Sequence, residues 1–151
     1  MHPNLGRAVV GGLAGTVVMT MMMYLVSPMM MGMKMDVANM LGSMLGIGWT
    51  LGMVMHFMLG TIVFPAVYTF ALYSWLPGGP AVKGVVWGAT LWLIAQTMVM
   101  PMAGAGFFSS AMGGMMAVTG SLVGHLMYGG LLGVIAGEGE PVTATTSPFH
   151  A

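Results

Sequence analysis

Apolar residues follow one another in four long runs, separated by short stretches rich in glycine, proline and polar residues. Each run approaches or exceeds the roughly 20 residues that a helix needs to cross the core of a bilayer. The runs cover residues 8–27, 49–75, 83–101 and 112–136. The first run lacks the A-x-A-like site of a signal peptide, so we interpret it as a retained helix. The pattern predicts an all-α, polytopic membrane protein with four transmembrane helices.

The flanking charges favour one orientation in a cytoplasmic (inner) membrane. With both termini in the cytoplasm, Arg7 and Lys83 lie inside and Lys34 lies outside, as the positive-inside rule expects. Residues 1–137 then form a single transmembrane domain. Residues 138–151 are polar and poor in apolar side chains, which predicts a disordered cytoplasmic tail.

The first outer loop carries a helical pattern of its own. Its apolar positions share one face, while Asn39 and Ser43 fall on the other. Asp36 precedes this pattern and can cap a helix. We predict a short helix in the outer interface, which we interpret as an amphipathic connector. Its apolar face contains Val37, Met40, Leu41, Met44 and Ile47.

The chain also shows signs of an internal duplication. A shift of 73 residues superimposes Pro28 on Pro101, together with two glycines, a valine and a methionine. A shift of 69 residues then superimposes an H-x-M-x-G motif, His56 on His125 and Gly60 on Gly129. We predict a tandem two-helix repeat, residues 8–76 and 83–136, arranged as a parallel pseudo-twofold bundle.

Small residues in the predicted spans favour close helix contacts. G-x-x-x-G motifs occur at residues 11–15, 84–88, 120–124 and 129–133. They allow backbones to approach within this chain or against other membrane subunits. Pro65 lies inside the second span and is expected to kink it.

Composition narrows the function classes. The chain has 3 Lys+Arg, 3 Asp+Glu and no Cys, and its mean hydropathy is +0.93. The lipid bilayer is therefore the expected environment, and nucleic acid is excluded because phosphate neutralisation needs several cations. No acidic or basic residue lies well inside a span, so no catalytic constellation is visible and we expect no enzyme.

The paired histidines are the strongest candidates for a cofactor site. His56 and His125 each lie about 10 to 12 Å below the outer end of their helices, at 1.5 Å per residue. Facing histidines in a bundle can hold a haem, and Gly60 and Gly129 would leave room for a flat macrocycle. The alternative is that each imidazole hydrogen-bonds a neighbouring helix and binds no cofactor.

Methionine, at 22 residues, is the other unusual feature. Thioethers select Cu(I), and alternating methionines in the first outer loop can present sulfur along one extended edge. Met53 is a further local ligand, three residues before His56. Methionine also fills irregular apolar gaps, and we favour packing over copper here. The candidate copper ligands are Met29, Met31, Met33, Met35 and Met53.

Four segments carry a family resemblance, which covers about residues 8–136. They are PMMMGMKMDVANMLG, MHFMLGTIVFPAVY, VMPMAGAGFF and GHLMYGGLLG. Here the chain resembles an uncharacterised family of small bacterial four-helix membrane proteins. The resemblance implies a fold and a membrane location but no activity. The histidine arrangement is also loosely similar to four-helix b-type cytochromes, which would imply haem ligands at His56 and His125. Haem propionates usually pair with cations, and only Lys34 lies on the outer side.

The sequence thus leaves three functions open. The first choice is haem b binding between His56 and His125, serving electron transfer or as an accessory subunit of a respiratory membrane complex, and the other two are alternatives. The second is copper binding by the outer methionines. The third is a structural subunit or small-solute transporter without a cofactor.

Overall fold

A computed structural model describes residues 3–32 and 34–137, and all regular structure in this part of the chain is helical. The predicted tail, residues 138–151, lies outside the described residues. The helices are α1 (Leu5–Met30), α2 (Val37–Leu45), α3 (Gly48–Leu72), α4 (Pro80–Met102) and α5 (Gly114–Ala136), with a 3-10 turn at Phe107–Ser109.

The four predicted spans are confirmed as helices, within a few residues at each end. α1, α3, α4 and α5 are each long and apolar enough to cross a membrane. α2 is the short helix predicted in the first outer loop, and the Asp36 side chain caps it by accepting from the Asn39 backbone N–H at 2.9 Å. We call the end of the bundle that carries α2 and the 3-10 turn the long-loop end. The opposite end is the short-loop end.

Close backbone contacts hold the short-loop half together. α5 runs antiparallel to α4 and to α1 and packs along both. A Cβ added at Gly129 would lie 2.1 Å from the carbonyl oxygen of Gly84, and one at Gly88 would lie 2.2 Å from that of His125. At Gly15 an added Cβ would lie 3.0 Å from the carbonyl oxygen of Tyr128. These glycines are therefore required by helix packing, as their G-x-x-x-G spacing predicts.

Three helix-interior prolines are each preceded by a π-helical segment. Proline has no N–H and its ring clashes with the carbonyl four residues earlier, so the wider π turn accommodates it. Pro28, Pro65 and Pro101 each follow such a segment by two residues. The segments are Met22–Val26, Leu59–Val63 and Ala95–Val99.

The π segments bear on the predicted duplication. Met22–Val26 and Ala95–Val99 are 73 residues apart, the same shift that superimposes Pro28 on Pro101. The packing, however, departs from a twofold arrangement. α5 packs along both α1 and α4, whereas α3 packs on α1 and α2. The reason is local: α2 covers α3, since a Cβ at Gly52 would lie 2.0 Å from the Ala38 carbonyl oxygen, and the second repeat has only a 3-10 turn there.

Two glycines of α5 test this account of packing. Gly129→Ala forces a methyl group onto the backbone of α4, and overpacking of this kind destabilises by about 1 to 3 kcal/mol. Gly120→Ala is the matched control, because a Cβ there meets nothing within 4 Å. We expect only Gly129→Ala to lower the thermal stability of the detergent-solubilised protein, measured by loss of the monodisperse size-exclusion peak. Equal stability of the two variants would contradict the assignment.

Candidate functional site

The long-loop half of the bundle encloses a cavity of about 860 Å³. All five helices contribute to its walls, and residues 103, 104 and 112 of the second long connection contribute as well. The volume lies within the roughly 300 to 1,000 Å³ typical of sites for small molecules and cofactors. The close glycine contacts among α1, α4 and α5 lie in the other half, while large methionine side chains lie between the helices here.

Both predicted histidines line this one cavity, His56 from α3 and His125 from α5. The sequence indicated equal depth, and the structure adds that the two imidazoles share a site.

The hydrogen bonds of His125 define which nitrogen is free. Its Nδ1 lies 2.8 Å from the backbone carbonyl oxygen of Ser121, which can only accept. Nδ1 therefore carries the proton, and in the neutral ring Nε2 keeps its lone pair. No hydrogen-bond partner of Nε2 is found among the described residues.

His56 is held by α1 in a different way. Its Nε2 lies 3.1 Å from the hydroxyl oxygen of Thr20, and that hydroxyl donates to the Thr16 carbonyl oxygen at 2.7 Å. Because the Thr20 proton is used in this bond, Nε2 of His56 is the donor to Thr20. The lone pair of the neutral ring then lies on Nδ1.

Methionine is the commonest side chain in the cavity wall. Eleven methionines of the described chain contribute, from both long connections and from four helices. They are Met19, Met22, Met23, Met30, Met35, Met40, Met44, Met100, Met102, Met112 and Met116.

The methionines singled out from the sequence are mostly elsewhere. Met35 lines the cavity, but Met53 does not, and Met29 is 87% exposed. Met33 and the side chain of Met31 lie outside what the structure describes. The predicted extended edge is wrong at its start, because Ser27–Met31 is helical and neighbouring methionines there diverge.

The two glycines expected beneath a macrocycle are used in helix packing. Gly60 lies on the cavity wall, yet an added Cβ would meet the Thr16 hydroxyl of α1 at 2.1 Å. Gly129 lies against Gly84 of α4 and does not line the cavity. The helix surface at Gly60 and Gly129, which was predicted to be free for a macrocycle, is therefore covered by a neighbouring helix. At Gly129 none of this surface lines the cavity.

The floor of the cavity is closed by Tyr128 and Phe64. The Tyr128 hydroxyl donates to the Gly60 carbonyl oxygen at 2.7 Å, joining α5 to α3. Phe64 packs edge-on against the rings of Tyr128 and Trp87, with centroids 6.4 and 6.3 Å apart. Below this layer the core is filled by aromatic and aliphatic side chains, so the cavity opens toward the long-loop end.

One carboxylate lies at the cavity mouth and is strongly hydrogen-bonded. Asp36 accepts from the Tyr24 hydroxyl at 2.5 Å, from the Trp49 indole N–H at 3.0 Å and from the Asn39 backbone N–H. Partial burial raises the pKa of Asp36, but these donors and the nearby Lys34 outweigh it, so the pKa lies below its usual value. Asp36 is therefore ionised at neutral pH.

Three residues of this site were not identified from the sequence. Thr20 and Tyr128 reach their partners across helix contacts 36 and 68 residues apart, which no local pattern reveals. Ser121 precedes His125 by one helical turn, a spacing that is visible in the sequence. Within residues 3–32 and 34–137 no group of three or more His, Asp or Glu side chains is placed to hold a metal ion.

The floor hydrogen bond can be tested with two identical substitutions. Tyr128→Phe removes a buried hydroxyl and leaves the Gly60 carbonyl oxygen without its hydrogen-bond donor. The free energy of unfolding should fall by about 1 to 3 kcal/mol. Tyr68→Phe is the control, since its equally buried hydroxyl has no hydrogen-bond partner in the described structure. Denaturant unfolding in micelles should show a lower free energy of unfolding for Tyr128→Phe and an unchanged one for Tyr68→Phe. A larger loss for Tyr68→Phe would refute this assignment.

Comparison with known proteins gives one match. The model of a family described as "Family of unknown function (DUF6789)" matches residues 3–146. No curated protein and no solved structure matches the chain.

Proposed function

The chain belongs to that family of unknown function, and we propose from its cavity that it binds Cu(I) within the membrane. The observation that carries the proposal is the convergence of eleven methionines and two histidines on one cavity. Copper would enter and leave at the long-loop end, where the cavity opens.

The donor set is soft. Thioethers and imidazoles suit Cu(I), whereas hard cations such as Mg²⁺ and Ca²⁺ prefer carboxylate and carbonyl oxygens. The carboxylate in the cavity wall, Asp36, already accepts hydrogen bonds from Tyr24, Trp49 and Asn39. The chemistry of the wall thus favours a monovalent soft ion, whose low charge also makes it less costly to hold inside a membrane.

The histidines are oriented in the way that metal-binding histidines usually are. A ligating imidazole commonly donates its other N–H to a carbonyl or another oxygen, which fixes the tautomer and leaves a lone pair for the metal. His125 does this through Ser121, and His56 does it through Thr20. The two nitrogens that have no partner among the described residues, with a thioether from the cavity wall, would form a low-coordinate Cu(I) site.

Copper binding can be measured directly. The protein in detergent is titrated anaerobically with Cu(I) against a chromophoric chelator. We expect retained copper, and an affinity that falls at least about 100-fold in the double variant His56→Ala/His125→Ala, since loss of an outer-shell partner alone costs 10- to 100-fold.

A matched control comes from the same two helices. Met58 and Met127 each lie two residues after a histidine, are 42% exposed and do not line the cavity. Met58→Leu/Met127→Leu should therefore bind copper as the parent does. Equal affinity in the histidine and methionine variants would overturn the proposed site.

Thr20 provides a finer test, because it positions His56 without being a ligand. Thr20→Val keeps the shape of the side chain but removes the oxygen that holds Nε2, so Cu(I) affinity should fall about 10-fold or more. Thr90→Val is the control, since Thr90 makes the same bond to its own helix but faces away from the cavity. Thr20→Ser keeps the oxygen, so a parent-like Cu(I) affinity in this variant would show that the loss in Thr20→Val comes from the missing oxygen and not from misfolding. An unchanged Cu(I) affinity in Thr20→Val would exclude Thr20 as the residue that positions His56.

Haem b between His56 and His125 is a second candidate. The His125–Ser121 bond suits an axial haem ligand, the cavity volume suits a cofactor, and Lys34 lines the cavity where a propionate would need a cation. We place copper first because Thr20 occupies Nε2 of His56, the nitrogen more accessible to a bulky macrocycle. The covered face of Gly129 also argues for copper.

A reduced-minus-oxidised visible spectrum separates the two candidates. Protein from haem-replete cells would show Soret and α-band differences that disappear in His56→Ala and His125→Ala if haem is the ligand. We expect a flat spectrum together with bound copper. Haem bands in a protein that binds no copper would make haem b the first candidate and reject Cu(I).

A further inference from the structure

α2 covers the cavity at the long-loop end. Val37, Met40 and Met44 of this helix line the wall, and its other face packs on α3 through glycine. A Cβ at Gly42 would lie 2.4 Å from the Gly48 carbonyl oxygen, so the contact between α2 and the start of α3 is a backbone contact. α2 is therefore more than a connector: it forms part of the cavity.

A single carboxylate joins α2 to the two helices that flank it. Asp36 caps α2, accepts from Tyr24 of α1, and accepts from Trp49 of α3 through both of its oxygens, at 3.0 and 3.2 Å. The packing of α2 on α3 is extensive, whereas its hydrogen bond to α1 is the one between Tyr24 and Asp36. Separation of α2 from α1 requires that this bond break.

The charged groups around Asp36 make the contact specific. Lys34 lies close enough to lower the pKa of Asp36 and also lines the cavity. Hydrogen bonds to an ionised acceptor are about twice as strong as neutral ones. One ionised side chain thus joins α1, α2 and α3 at the mouth of the cavity.

We propose that α2 is a gate over the cavity and that Asp36 is its latch, controlling entry of the ligand from the long-loop end. The identity of that ligand as Cu(I) rests on the proposed function, but the gate does not. With the Tyr24–Asp36 bond made, α2 is held against α1 and narrows the mouth of the cavity. With the bond broken, α2 remains on α3 and the mouth widens on the side toward α1.

The absence of cysteine allows a test that needs no copper. Ser121→Cys introduces one thiol on the cavity wall, at a position that is 7% exposed. Its alkylation rate by a small maleimide in detergent reports access. We expect Tyr24→Phe to raise this rate about tenfold, the effect of losing one charge-assisted hydrogen bond. Asp36→Asn keeps an amide oxygen that can still accept from Tyr24, so we expect a smaller rise there.

The variants are chosen to preserve the fold. Asn is as good a helix cap as Asp, so Asp36→Asn keeps α2 while the charge and one acceptor are lost. Tyr24→Phe removes only the hydroxyl that joins α1. Ser110→Cys, in the exposed turn outside the cavity, is the control thiol, and its rate should be the same in all backgrounds.

Each outcome decides a separate question. Unchanged alkylation of Ser121→Cys in folded Tyr24→Phe would overturn the gate, even if Asp36→Asn failed to give a monodisperse protein. An equal rise at Ser110→Cys would indicate general loosening and would also overturn it. Faster alkylation without any copper binding would preserve the gate and reject Cu(I) as the ligand.

Discussion

Backbone contact between glycines is the constraint on which the structure depends. α5 touches α4 through Gly84, Gly88 and Gly129, and an added methyl group at these positions would collide with the facing backbone. Membrane helices gain little from burying apolar surface against one another, so close van der Waals packing is what holds them together. Among the four spanning helices of the described chain, that packing is concentrated in the short-loop half, while in the long-loop half it joins α2 to α3.

The cavity in the long-loop half follows from where these glycine contacts lie. The G-x-x-x-G motif at residues 120–124 lies on the cavity wall, where neither glycine meets a facing backbone, contrary to the close contact predicted for it. The π segments before Pro28 and Pro101 widen α1 and α4 at the level of the cavity. Methionine suits this region because a flexible thioether fills irregular space without fixing it. A cavity lined by sulfur is the physical consequence, and the two histidines reach it from α3 and α5.

Polar groups complete the site because the bilayer leaves them no water. His125 satisfies its Nδ1 on its own helix, while His56 depends on Thr20 of the neighbouring one. The cost of an unsatisfied polar group in this setting explains why each ring has one nitrogen committed. The other nitrogen of each ring keeps a lone pair, which can bind a metal ion.

Sequence patterns predicted the parts of this structure that depend on length and local spacing. The four spans, the short helix and its Asp36 cap all follow from runs, periodicity and capping chemistry. The methionine edge was predicted for an extended chain, and it is wrong at its start because Ser27–Met31 is helical. Neighbouring methionines there lie on different faces: Met29 is 87% exposed, whereas Met30 lines the cavity.

Partners that lie far apart in the chain could not be predicted at all. The Thr20–His56 contact joins two helices whose relative rotation is set by Gly60 packing on Thr16. Gly60 and Gly129 looked equivalent in the repeat, but Gly60 packs against α1 and Gly129 packs against α4. The internal repeat in the sequence therefore predicted a more symmetric packing than the structure has.

X-ray absorption at the copper K-edge of the Cu(I)-loaded protein tests the central claim most directly. We expect a Cu(I) edge with both sulfur and imidazole nitrogen in the first coordination shell, because thioethers and histidines line the same cavity. A first shell of sulfur alone would exclude His56 and His125 as ligands and contradict the site, as would copper that is lost on desalting.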